Sequence, residues 1–272
     1  MNYTSLTALM GVSAAAAGVL LWGNTAITTT EIPIYHPAVP RPFDGFRIAH
    51  ITDFHNTTFG KDHHRLVARL KAAKPDIIAI TGDMLDARRT DIPQALSFAA
   101  EAVKIAPCYY VMGNHESRIP SYPVFEAGLR KTGVQVLRSE SVQLEREGKY
   151  LTIIGSDDPS LSDTFAEDII RMQKAARGFT LLLSHRPERF ETYRAAGVHL
   201  ALCGHAHGGQ VRIPLIGGVV APHQGFFPKY DSGLYQKGDT RMILSRGLGN
   251  SLCPLRVNNR PELIIAELCC ES

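Results

Sequence analysis

From Gly45 onward, short continuous apolar runs alternate with longer stretches whose apolar positions recur every three or four residues. The runs Phe46–Thr52, Asp76–Thr81, Cys108–Met112, Phe179–Ser184 and His199–Cys203 read as strands buried on both faces. Between them, Asp62–Ala73, Ile92–Ile105, Tyr122–Thr132, Phe165–Ala176 and Glu188–Ala195 carry the period of helices with one apolar face. Strands separated by helices call for parallel pairing with helices on the sheet faces. Val134–Leu137, Val142–Arg146 and Leu151–Ile154 are more closely spaced strand patterns, and Gln210–Ile213, Met242–Ser245 and Leu263–Leu268 follow in a Gly- and Pro-rich region. The class is α/β, with a second sheet built from the later strands.

The N-terminus is patterned differently. No charged side chain precedes Glu31, and Leu6–Trp22 is mostly apolar, just long enough for a spanning helix. The absence of Lys or Arg before it, and of a small-x-small site after it, favours an uncleaved anchor over an export signal. Thr28–Phe43, with Pro33, Pro37, Pro40 and Pro42, reads as a semi-rigid extended spacer. The expected organisation is an anchor at 1–27, a Pro-rich spacer at 28–44 and a folded domain at 45–272. Arg41 and Arg47 follow the apolar stretch, which places the domain on the cytoplasmic side of a membrane, with an exported protein as the alternative.

Composition narrows the partners. A formal charge of +3 over 272 residues, with no block of Lys or Arg, gives no reason to expect nucleic acid. Cys108, Cys203, Cys253, Cys269 and Cys270 are odd in number and lack C-x-x-C spacing, so they read as free thiols in a reducing compartment.

The chemistry sits where the strand patterns stop. They end in Asp53-Phe54-His55, Gly82-Asp83, Gly113-Asn114-His115-Glu116, Ser184-His185 and Gly204-His205-Ala206-His207. Ligands of parallel sheets collect outside the carboxyl ends of the strands, so one fold brings these loops together. Asp-x-His and His-x-His each put two donors on a short loop, Asp83 has two oxygens with which to bridge, and Asn114 adds a neutral carbonyl. Carboxylate, amide and imidazole together suit Mn, Fe or Zn better than Ca or Mg. Two such ions about 3.5–4 Å apart clamp the attacking and leaving oxygens of a phosphoryl displacement.

In this order and spacing, the blocks resemble the calcineurin-like metallophosphoesterase superfamily over nearly the whole domain. Gly208-Gly209-Gln210 and the tail from Arg246-Gly247-Leu248-Gly249 to Asn259-Arg260-Pro261-Glu262 are similar to one branch of it. That branch holds bacterial phosphodiesterases of the YaeI and YkuE type and some UDP-diacylglucosamine pyrophosphatases of lipid A synthesis. The resemblance implies a four-layer αββα sandwich of two mixed sheets flanked by helices. It implies that Asp53, His55 and His207 hold one divalent ion and Asn114, His185 and His205 a second, with Asp83 bridging and Mn²⁺ the first choice of metal. A hydroxide held between the ions would attack phosphorus, and His115 would protonate the leaving oxygen or stabilise phosphoryl charge.

Taken singly, each residue has a plainer reading. A lone Asp after a strand is usually a turn or cap residue, and a lone His is usually structural. His36, His50, His63, His64, His199 and His223 are assigned that role, and Arg246 and Arg256 surface ion pairing. Glu116 either orients His115 or caps the segment that follows. The resulting expectation is a phosphodiesterase or pyrophosphatase acting on a lipid- or nucleotide-linked substrate. A phosphomonoesterase on the same scaffold is the alternative; a non-catalytic module ranks last, because the donor set is intact.

Overall fold

The computed structural model describes residues 18, 22–251 and 253–271. In chain order its strands are β1 (Thr28–His36), β2 (Phe46–Ile51), β3 (Ile77–Thr81), β4 (Cys108–Val111), β5 (Gln135–Val136), β6 (Glu140–Arg146), β7 (Lys149–Gly155), β8 (Phe179–Leu183) and β9 (Leu200–Cys203). Two small hairpins follow, β10 (Arg212–Ile213) with β11 (Gly217–Gly218) and β12 (Val220–Ala221) with β13 (Gly225–Phe226), and then β14 (Gly233–Lys237), β15 (Thr240–Leu244) and β16 (Glu262–Cys270). Among the described residues, the helices that pack on the sheets are α1 (His64–Ala73), α2 (Ile92–Ala102), α3 (Tyr122–Thr132), α4 (Phe165–Ala175) and α5 (Phe190–Ala196).

The larger strands form two six-stranded sheets, ordered β1-β16-β2-β3-β4-β5 and β14-β15-β9-β8-β7-β6. Both are mixed: β16 runs against β2, and β6 and β14 run against β7 and β15, while the central strands β2–β4 and β7–β9 are parallel. Period-two alternation decides which face each side chain meets. Phe46 and Ile48 of β2 point between the sheets with Ile77, Leu181, Leu183, Leu202 and Ile264. Ala49 and Ile51, on the other face, pack with Leu66, Leu70, Phe98 and Phe125 of α1–α3. On the far side, Leu182, Ala201 and Leu244 meet Ile169, Met172, Phe190 and Tyr193 of α4 and α5. Helices, sheet, sheet and helices make the expected four layers.

Two expectations about the N-terminal part change. Thr28–His36 is an edge strand, paired in parallel with β16 from Thr28↔Glu262 to His36↔Cys270. Pro33 is tolerated there because an edge strand needs no ladder N–H on its open side. Ile34, Val39 and Phe43 are buried between the sheets, so the packed unit begins well before Gly45. The membrane anchor read from Leu6–Trp22, and the membrane-side assignment that depended on it, are corrected here. Among the described residues no helix is long and apolar enough to cross a membrane. Most of the 6–22 stretch itself lies outside the described residues.

One buried polar side chain makes the fold sensitive to acid. His50 of β2 has no exposure, its Nε2 lies 2.7 Å from Thr81 Oγ1, and its Nδ1 has no partner. Burial, reinforced by nearby His185, pushes its pKa down from 6.5 to about 3. A depressed folded-state pKa gives stability that is present above the unfolded value near 6.5 and lost as pH falls toward 3. For His50 that loss between pH 7.5 and 5 is about 2 kcal/mol. Urea unfolding at the two pH values should show His50→Asn losing less stability on acidification than the parent protein. Equal losses would remove His50 as a source of acid sensitivity.

Candidate metal centre

The parallel strands of both sheets end at the same edge of the sandwich. β2 leads into Asp53 and His55, β3 into Asp83, and β4 into Asn114 and His115; from the other sheet, β8 leads into His185 and β9 into His205 and His207. Asp53, His55, Asp83, His205 and His207 all have positive φ, between 46° and 73°. Left-handed backbone at non-glycine residues costs about 1–3 kcal/mol each and persists only where the surroundings enforce it. Gly82 shares this conformation at φ 86°, but its neighbour in space, Gly113, is needed for a different reason. A Cβ on Gly113 would lie 2.2 Å from Asp83 Oδ1 and 2.5 Å from Asp83 N, so only glycine lets the two loops touch.

The side chains converge. His207 Nε2 lies 3.3 Å from His55 Nε2 and 3.4 Å from Asp53 Oδ1. His185 Nε2 lies 3.2 Å from Asp83 Oδ2 and 3.2 Å from His205 Nδ1. His55 Nε2 is 3.8 Å from Asp83 Oδ2, so the two groups meet at Asp83. Potential donor atoms of Asp53, His55 and His207 lie within 4.8 Å of one another, as do those of Asp83, His185 and His205. Asn114 lines the same cavity, and its Oδ1 is buried with no hydrogen-bond partner.

Surrounding groups fix these side chains. Thr81 O accepts a hydrogen bond from the His185 Nδ1–H at 2.7 Å, leaving Nε2 to face Asp83. The Asp53 carboxylate accepts the His205 N–H at 3.0 Å. Glu116 neither orients His115 nor caps its own segment. Its buried carboxylate accepts N–H groups from Asp83 (2.9 Å), Leu85 (2.9 Å) and Gly113 (3.0 Å), pinning the β3 and β4 loops together. Burial and the adjacent Asp83 push the Glu116 pKa up to about 8, against which those donors favour the anion.

His115 is partly exposed in the cavity. Its Nδ1 accepts the Ala87 N–H at 3.0 Å, and Nε2 lies 3.2 Å from Ser251 Oγ and 4.0 Å from Asp83 Oδ2. Nδ1 is therefore an acceptor, and the ring presents Nε2–H to the cavity.

The electrostatics favour a cation. Burial opposes charge on His185, yet Asp83 and Asp53 outweigh it and push its pKa up to about 10. Buried carboxylates that draw a proton onto an imidazole are carboxylates short of positive charge. Burial holds His55, His205 and His207 below the usual imidazole range, neutral and available as ligands. With the orphaned Asn114 oxygen, this donor set fits a pair of divalent ions.

The structure also brings in residues that the sequence did not single out for the site. His223, assigned a structural role, places Nδ1 2.8 Å from His205 Nε2. Arg186 forms a buried two-pronged pair with Asp158, at 2.5 and 2.9 Å. Arg256 is buried instead of forming a surface ion pair, donates to Gly249 O and Arg246 O, and comes within 3.5 Å of His207 Nδ1. Arg246 does pair, with Glu262 at 2.8 Å. Only Arg186 carried a local signal, its position next to His185.

Comparison with known proteins agrees with this geometry. A family model described as Calcineurin-like phosphoesterase matches residues 46–209. The metallophosphoesterase YkuE of Bacillus subtilis is 31% identical over 251 residues, 89% of this chain and 85% of its own. Phosphodiesterase YaeI of Escherichia coli is 30% identical over 209 residues, 72% of this chain and 71% of its own. Among solved structures, sulfate thiohydrolase SoxB of Thermus thermophilus shares the fold at TM-score 0.51 and 11% identity, over 85% of this chain and 57% of that one.

The Glu116 clamp is testable apart from the ligands. Glu116→Gln keeps the shape but turns an NH₂ group toward backbone donors. It should cost about 10–100-fold in metal affinity or activity, as such supporting contacts do. Metal titration of chelator-stripped protein measures the loss, and unchanged affinity together with unchanged turnover would show that the clamp is dispensable.

Proposed function

The chain belongs to the calcineurin-like phosphoesterase family and is a metal-dependent phosphohydrolase, and on that premise we propose that it cleaves phosphodiester or pyrophosphate bonds of phosphorylated small molecules. The observation that carries this reading is the pair of clefts opening onto the donor cluster. One, of about 320 Å³, is lined by Asp83, Asn114, His115, His205, His207 and His223. The other, of about 400 Å³, reaches His55 past Asn56, Gly249 and Asn250. A diester has two arms to place and a monoester has one.

In this reading Asp53, His55 and His207 hold one divalent ion, Asn114, His185 and His205 the other, and Asp83 serves both. Bound there, the ions supply Lewis acidity and a nucleophile from water at neutral pH. The mixture of carboxylate, amide and imidazole points to Mn²⁺, with Fe or Zn as alternatives. His115 presents its Nε2–H to the cavity. With Nδ1 held by the Ala87 N–H, the ring donates a hydrogen bond to phosphoryl oxygen and is poorly placed to give up a proton. Charge stabilisation is thus the better of its two expected roles.

The first cleft suggests one arm of the substrate. Val220, Ala221 and Pro222 form an apolar wall, and Phe226, directly opposite Val220 across its hairpin, is 78% exposed. Opposed residues of an antiparallel pair share a face, so Phe226 extends that wall outward. An acyl or alkyl arm fits it.

The panel that tests this offers bis-p-nitrophenyl phosphate, p-nitrophenyl phosphate and alkyl p-nitrophenyl phosphates of increasing chain length to protein with Mn²⁺. The diester should exceed the monoester in kcat/KM by about tenfold or more, equivalent to about 1.4 kcal/mol, and longer alkyl arms should lower KM. A monoester preference would replace this reading with a phosphomonoesterase. His115→Ala should retain both ions and lose about 10²–10³-fold in kcat, as removal of one charge-stabilising donor does. The loss should be similar across leaving groups; one that grows as the leaving group worsens would restore the proton-donor role.

A further inference from the structure

We propose that His223 is a positioning residue of the second metal site, holding His205 in the only tautomer that can bind an ion there. The proposal rests on the dinuclear reading above and deepens it.

The argument follows the protons of His205. Its Nδ1 faces His185 Nε2 at 3.2 Å, and His185 Nε2 in turn lies 3.2 Å from Asp83 Oδ2. An ion between them requires both to be unprotonated. For His185 an ion would take the place of the Nε2 proton that Asp83 draws, while the Nδ1–H stays donated to Thr81 O. For His205 the proton must then sit on Nε2, which has two neighbours. One is Arg186 Nη1 at 3.2 Å, and the other is His223 Nδ1 at 2.8 Å.

A guanidinium has five donors and no acceptor. Arg186 is buried and gripped by both oxygens of Asp158, so it cannot swing aside. Facing Arg186 alone, His205 would do better with a bare Nε2 accepting from the guanidinium and its proton on Nδ1. That tautomer blocks the metal. His223 reverses the preference, because its Nδ1 is the one acceptor within hydrogen-bond distance of His205 Nε2 among the described residues. Arg186 Nη1 lies 3.0 Å from the same His223 atom, and a guanidinium can only donate, so His223 Nδ1 is the unprotonated, accepting nitrogen of that ring.

His223 is built to stay in place. It lies at φ 59° in a turn closed by Gln224 N–H to Ala221 O, and the Gln224 side chain donates to Tyr230 O and accepts from Tyr230 N. Glu188, His205 and His223 also form a group with metal-ligand spacing. Arg186 Nη1 reaches all three, at 3.5, 3.2 and 3.0 Å, so a fixed cation already fills the position a further ion would take.

Mn²⁺ titration of chelator-stripped full-length protein by calorimetry tests the proposal without any turnover. Wild type should take up two ions. His223→Ala should weaken one of the two binding steps by about 10–100-fold and leave the other unchanged. His223→Asn puts a side-chain oxygen where Nδ1 stood and should recover most of the lost affinity. His223→Gln, whose oxygen lies one bond further out, should recover less. Matching circular dichroism spectra establish that the variants are folded, and His223 lies on an exposed loop. Two unchanged steps in His223→Ala, or Asn performing no better than Ala, would overturn the role of His223 alone. Fewer than two ions in wild type would instead overturn the dinuclear reading and this proposal with it.

Discussion

The carboxylates of Asp53 and Asp83 are buried where the carboxyl ends of two sheets meet, and much of the structure around them follows from the difficulty of keeping charge there. An unpaired buried carboxylate costs several kcal/mol. Part of the compensation comes from backbone donors: the His205 N–H turns to Asp53, and the His115 N–H meets Asp83 Oδ1 at 2.8 Å. These contacts require loops that reverse sharply at the strand ends. The run of left-handed residues there is the conformational cost of aiming donors and side chains at one point. The rest is left to cations.

That constraint explains why the flanking layers are so regular. Strain concentrated in the loops after β2, β3 and β9 is held only if the strands delivering them cannot shift. The inter-sheet core and the two helix layers supply that rigidity with interdigitated aliphatic side chains. Glu116 shows the same logic at short range. It adds a third buried carboxyl group beside Asp53 and Asp83, and it is useful because its three backbone bonds fix two loops from different strands to each other.

The strand-end blocks were legible because their signal is local: an apolar run, then Asp, Asn or His beside glycine. The central strands were legible for the same reason, and α3 was read with its observed limits. What escaped depends on partners remote in the chain. Thr28–His36 is polar and proline-bearing, and only its pairing with β16, more than two hundred residues away, distinguishes an edge strand from an extended spacer. Glu116 could not be assigned without knowing that β3 and β4 are neighbours. His223 shares no spacing with His205 and belongs to a loop with no periodic pattern. Arg256 looks like any surface arginine until the chain folds it beneath His207.

The charges around the centre bear on the choice of substrate. Two divalent ions would more than neutralise Asp53 and Asp83. Arg186 and Asp158 cancel each other, and Arg256 adds a buried positive charge whose pKa burial has already lowered to about 10. Arg118 adds another at the rim of the first cleft, so a substrate meets positive charge at the donor cluster and an apolar wall beyond it. Positive charge there favours an anionic phosphoryl group and does not by itself choose between a monoester and a diester. The choice falls to shape: a monoester's single arm can fill one of the two clefts, and only a substrate with a second group on phosphorus has something to place in the other.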